Sequence, residues 1–111
     1  MEDYNGTYMV YYEGAAGFGN AAAIIDNGVI RGKDCVAGDI KGMARIEGND
    51  LIINVTIYFT GAPGTFSVVN GEKGSGLEQT LEFRVPKDFP NEALSTADTV
   101  AGPLRLRIIR L

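Results

Sequence analysis

The segment Asp50 to Thr60 alternates with a period of two: Leu51, Ile53, Val55, Ile57 and Phe59 share one face, while Ile52, Asn54, Thr56 and Tyr58 share the other. Extended chains point successive side chains to opposite sides, so this run folds as a strand with one side against a core. The signal recurs at Leu77 to Val85, where Pro86 ends the ladder by withholding an N–H, and at Leu104 to Ile108, interleaved with Arg105 and Arg107. Weaker strand signals lie at Thr7 to Glu13, Asn20 to Asp26, Gly28 to Gly32 and Asp39 to Glu47, each bounded by glycine or Asn-Gly. Asp26-Asn27-Gly28 is the best hairpin signal, because tight turns need the positive φ that Asn and Gly tolerate. Thr65 to Val69 is expected to form one more short strand. Asp88 to Thr99 lacks alternation and carries Pro90, Ser95 and Asp98, so it is expected to be a loop with one helical turn.

About eight short strands with closely spaced turns point to an all-β fold, a single small antiparallel β-barrel spanning residues 1–111. Fifteen glycines fit turns and bends better than helices, and 45% apolar residues suffice for one core. A barrel of about eight strands is filled by its side chains or just wide enough for one small ligand. Ala22, Gly42 and Ala44 are small residues compatible with internal space.

A formal charge of −4 argues against nucleic acid, whose phosphates select clustered Lys and Arg. The basic set Arg105, Arg107 and Arg110 reads as a solvated strand face. Met1-Glu2-Asp3-Tyr4 lacks the basic and apolar segments of a signal peptide, and no apolar run approaches the roughly 20 residues of a membrane helix. The single cysteine, Cys35, allows no intrachain disulfide, which agrees with a reducing cytoplasm. A cytoplasmic location, with no membrane partner, is the expectation.

The chain has no histidine, which removes the commonest general base, the usual metal ligand and the Ser-His and Cys-His nucleophile systems. The carboxylate pairs Asp34 with Asp39 and Glu47 with Asp50 flank turns, where Asp commonly hydrogen-bonds nearby backbone. No segment has the alternating oxygen ligands of a calcium loop. The glycines of GAAGFG and GEKGSG have neither the spacing nor the following helix of a phosphate-binding loop and read as hairpin loops. No catalytic residue, metal or cofactor is therefore expected.

The order of turn motifs carries a resemblance. Gly6-Thr7-Tyr8 begins a strand, a glycine-containing hairpin follows, then Asn27-Gly28-Val29-Ile30-Arg31-Gly32-Lys33-Asp34, then Gly42, then a strand opening at Asp50-Leu51-Ile52. This resembles the GrlR family of small negative regulators of type III secretion loci, over roughly the first 60 of the 111 residues. Gly28 and Gly32 match the family's turn glycines, Asp34 its motif aspartate, and Lys33 replaces the more usual second glycine. The resemblance implies a lipocalin-like barrel that dimerises and acts by protein contact. In the family's best-known member an acidic surface turn before the long strand engages a helix-turn-helix transcription activator and silences it. The corresponding turn is Glu47-Gly48-Asn49-Asp50, which keeps two outer acids and lacks two inner ones. The expected function is thus a regulatory interaction module; a barrel binding a small apolar ligand is the alternative.

Overall fold

The computed structural model describes residues 4–14, 17–34, 38–59, 77–99 and 102–111. They form eight strands: β1 (Gly6–Gly14), β2 (Gly17–Asp26), β3 (Val29–Asp34), β4 (Asp39–Glu47), β5 (Asp50–Phe59), β6 (Leu77–Pro86), β7 (Glu92–Thr99) and β8 (Gly102–Arg110). All pairings are antiparallel, in the order β6-β5-β4-β3-β2-β1-β8-β7. The meander closes on itself through β1 and β8, leaving one seam where β6 runs beside β7 without a ladder. Across that seam the Ser95 hydroxyl donates to the Arg84 carbonyl at 2.7 Å. The result is a nearly closed barrel.

Alternation builds the core. Leu51, Ile53, Val55 and Ile57 point inward from β5 and meet Leu81 and Val85 of β6 and Leu104, Leu106 and Ile108 of β8. Each fully buried side chain of this kind contributes about 1.5–3 kcal/mol, which is why the strand register is fixed. The ion pairs Arg84–Asp50, Arg105–Glu13 and Arg107–Glu92 face out, the reverse of a lipid-spanning barrel, whose outer band is apolar. Three tyrosines, Tyr4, Tyr8 and Tyr12, are buried in the core, whereas Tyr11 and Tyr58 are exposed.

The β2–β3 turn has positive φ at both central residues, Asn27 at 51° and Gly28 at 84°, the conformation that makes Asn-Gly the preferred two-residue hairpin. Asn5 locks it: its side-chain oxygen accepts from the Asn27 N–H at 2.9 Å. Gly32 has a different role from a turn glycine. It lies inside β3, and a Cβ there would stand 2.9 Å from the Ala23 Cα, so glycine permits close strand approach where the barrel bends.

The strands depart from the sequence expectation at Asp88 to Thr99 and at Ala22. Asp88 to Thr99 is not a loop, since Glu92–Thr99 forms β7, paired with β8 from Glu92 opposite Ile109 to Thr99 opposite Gly102. Its inward residues Ala93 and Ala97 are small, and its one large apolar side chain, Leu94, points outward at 74% exposure, so no hydrophobic alternation registers. Ala22 also faces solvent; Ala21 and Ala23 take the inward positions. The strand expected at Thr65 to Val69, the GEKGSG loop and Cys35 lie outside the described residues.

Candidate functional site

The β4–β5 turn projects from one end of the barrel. Glu47 and Asp50 are ladder partners, and Gly48, at φ 64°, takes the first central position, where a positive φ is required. The Lys87 N–H donates to the Asn49 carbonyl at 3.0 Å and ties the turn to the β6–β7 connection. Glu47, Gly48 and Asn49 are exposed and Asp50 is half-buried.

The outer face below the turn holds a charge network. Arg84 reaches Asp50 at 3.0 Å and Glu47 at 3.9 Å, while Arg45 reaches Glu47 at 3.5 Å and Glu82 at 3.9 Å. Arg45 and Arg84 stand directly on either side of Ile52 in the sheet, and Ile52 is only 1% exposed although it points away from the barrel core. Long arginine stems covering an apolar side chain account for this burial. The acids of the turn therefore have cationic neighbours of their own, and a partner seeking them competes with Arg84.

The motif residues separate. Asp34 turns inward and is buried; its carboxylate accepts from the Gly38 N–H at 2.6 Å, and its own N–H donates to the Gly38 carbonyl at 3.0 Å, so it caps the β3–β4 connection. Lys33 faces out and pairs with Asp39 at 2.6 Å, which holds the Asp39 carboxyl below the usual carboxylate range. Asp34 and Asp39 thus lie on different faces of the sheet and form no carboxylate pair. Among the described residues, no group of three or more Cys, Asp or Glu side chains could hold a metal ion.

The barrel interior contains a wholly apolar cavity of about 80 Å³, bordered by residues including Val10, Ala23, Ile30, Val55, Phe83 and Leu106. Small-molecule sites usually measure roughly 300–1,000 Å³ and carry a few polar groups that orient the ligand. One end is plugged by Tyr8 and Phe89, ring centroids 6.1 Å apart, with the Arg110 guanidinium over both rings and donating to the Phe89 carbonyl at 3.0 Å. Arg110, expected on a solvated strand face, is instead half-buried against these rings. Arg105 and Arg107 do face solvent, paired with Glu13 and Glu92.

On the outside of β2, β1, β8 and β7 a groove of about 340 Å³ is bordered by Tyr11, Phe18 and Leu94, exposed 43%, 78% and 74%. The fold and these surfaces define an all-β, nearly closed eight-stranded barrel whose polar and charged groups lie mainly on its exterior. No protein-family model matches the chain, and no curated protein matches it.

Proposed function

We propose that this chain is a protein-interaction module of GrlR type, lipocalin-like in form, cytoplasmic, and working through the outside of its barrel. The observation that carries this reading is the contrast between inside and outside. The interior is nearly filled, with an apolar cavity of about 80 Å³, while one barrel end presents a turn bearing Glu47 and Asp50. A cation-bearing protein surface, such as that of a transcription activator, is the partner chemistry this turn suits. Homodimerisation belongs to the same reading, and the groove beside Phe18 and Leu94 is the apolar surface available for it.

The test is affinity capture from host lysate with wild-type protein beside a Glu47→Gln/Asp50→Gln variant, which removes charge without adding repulsion next to Arg84. A regulator retained by wild type and lost by the variant supports the assignment. Equal capture by both removes the turn as the working surface.

A further inference from the structure

Arg31 on β3 and Lys41 on β4 are direct cross-strand partners on the outer face. Like charges opposite one another in an antiparallel pair, with Cβ atoms about 4.5–5.5 Å apart, are unfavourable. Neighbouring cations are matched: Lys33 with Asp39, Arg45 and Arg84 with the acids of the β4–β5 turn, Arg105 with Glu13, Arg107 with Glu92. Arg31 has no ion pair or side-chain hydrogen bond among the described residues, and Lys41 lies over the Tyr58 ring, 6.0 Å from its centroid, with Asp39, whose carboxyl it helps hold down, as its one acidic neighbour.

The two cations border a cleft of about 390 Å³ that runs along residues 29–32 of β3 and 39–42 of β4. Beside them runs an apolar strip. Val29 and Met43 are partners across β3 and β4, exposed 41% and 59%, and Ile24, opposite Arg31 on β2, is 54% exposed. The acids nearby are Asp39, already held by Lys33, and Asp26 at the hairpin end.

We propose that the outer face of β2, β3 and β4 docks an extended acidic segment of a partner protein. One carboxylate sits between Arg31 and Lys41, and a neighbouring apolar side chain covers Val29 and Met43. Charge complementarity selects this occupant, because an anion between the two cations removes their mutual repulsion. A free phosphate would meet the cations but leave the apolar strip bare. An anionic lipid surface would meet a chain of net charge −4 with Asp26 and Asp39 on the same face. This surface is opposite in charge to the β4–β5 turn, so either assignment can fail without the other.

The experiment is fluorescence anisotropy of a labelled peptide alternating Glu and Val, titrated with the full chain at low salt, alongside amide chemical-shift mapping. Wild type is expected to bind with shifts at Val29, Arg31, Lys41 and Met43. Arg31→Gln/Lys41→Gln is expected to weaken binding about tenfold or more, Met43→Ser by a smaller factor, and Glu47→Gln/Asp50→Gln not at all. These positions are exposed, and retained amide dispersion in each variant confirms that it is folded. Peptide binding that ignores Arg31 and Lys41, or no binding at about 1 mM peptide, overturns the proposal. Arg31- and Lys41-dependent binding of inorganic phosphate or phosphatidylglycerol vesicles, with the peptide inert, reassigns the cleft to a small anion or a lipid surface and also overturns it.

Discussion

Gly42 on β4 lies so close to its partner strand that a Cβ at position 42 would stand 2.8 Å from the Val55 Cα and 2.9 Å from its Cγ1. The first of these neighbours is backbone, which cannot rotate away. Gly42→Ala therefore pushes β4 from β5 and is expected to cost about 1–3 kcal/mol or more, as overpacking does. Gly48→Ala meets nothing within 4 Å and is strained only by its φ of 64°. Its expected cost is about 1–2 kcal/mol, the usual penalty of a left-handed conformation. Urea midpoints for the two variants check the order; a Gly42→Ala protein as stable as wild type would remove the close-approach argument.

Tyr8 supplies a pH dependence. Its hydroxyl donates to the Tyr4 carbonyl, and burial raises its pKa above the ordinary tyrosine value of about 10, outweighing the opposing pull of Arg110. Above pH about 10 the unfolded chain gives up this proton while the folded chain keeps it. The folded state then binds more protons, and stability falls as pH rises. The contribution is complete below the unfolded value and is lost as pH climbs through the raised folded value. Tyr8→Phe is expected to cost about 1 kcal/mol near neutrality through the missing hydrogen bond, and to flatten the alkaline decline. Urea unfolding of both proteins between neutral and alkaline pH measures this difference, and parallel declines would refute it.

Elements that announce themselves by local chemistry were legible in the sequence. β5 reads directly because its inward positions are all large and apolar, and Asn27-Gly28 reads because its turn requires positive φ at both residues. β7 does not, since Ala93 and Ala97 bury little area and Leu94 faces solvent; its extended form comes from pairing with β8. Register hides the rest. Glu47 and Asp50 are recognisable as an acidic turn, but the Asp50–Arg84 pair joins residues 34 positions apart. The opposition of Arg31 and Lys41 likewise follows from how β3 pairs with β4, which no local pattern states.

The seam between β6 and β7 gives a third expectation. Ser95 donates to the carbonyl of Arg84 at 2.7 Å where no ladder joins the two strands. Edge strands without ladder bonds open more readily than paired ones, so this side-chain bond matters more than its neutral chemistry suggests. Ser95→Ala is expected to lower stability by about 1 kcal/mol and to speed amide exchange in β6 and β7 relative to β2 and β3. Uniform acceleration across all strands would mean that the seam has no separate opening mode.

The last expectation concerns the acidic turn. Arg84 sits beside the acids of the turn, 3.0 Å from Asp50 and 3.9 Å from Glu47, with its own side chain 59% exposed. An ion pair at that exposure contributes little to folding, typically about 0–1 kcal/mol, because solvent screens it. Its removal therefore leaves the fold intact while releasing Asp50 and leaving Glu47 with Arg45 as its cationic neighbour. Arg84→Gln is expected to shift the urea midpoint only slightly and to strengthen capture of a basic partner through Glu47 and Asp50, with the gain abolished when those two acids are also changed to Gln. Ile52 supplies the internal check: it loses part of its arginine cover, so its amide resonance should move even if no partner is present. Capture that weakens in Arg84→Gln would instead make Arg84 part of the recognition surface, and the turn would then act as a mixed-charge face rather than an acidic one.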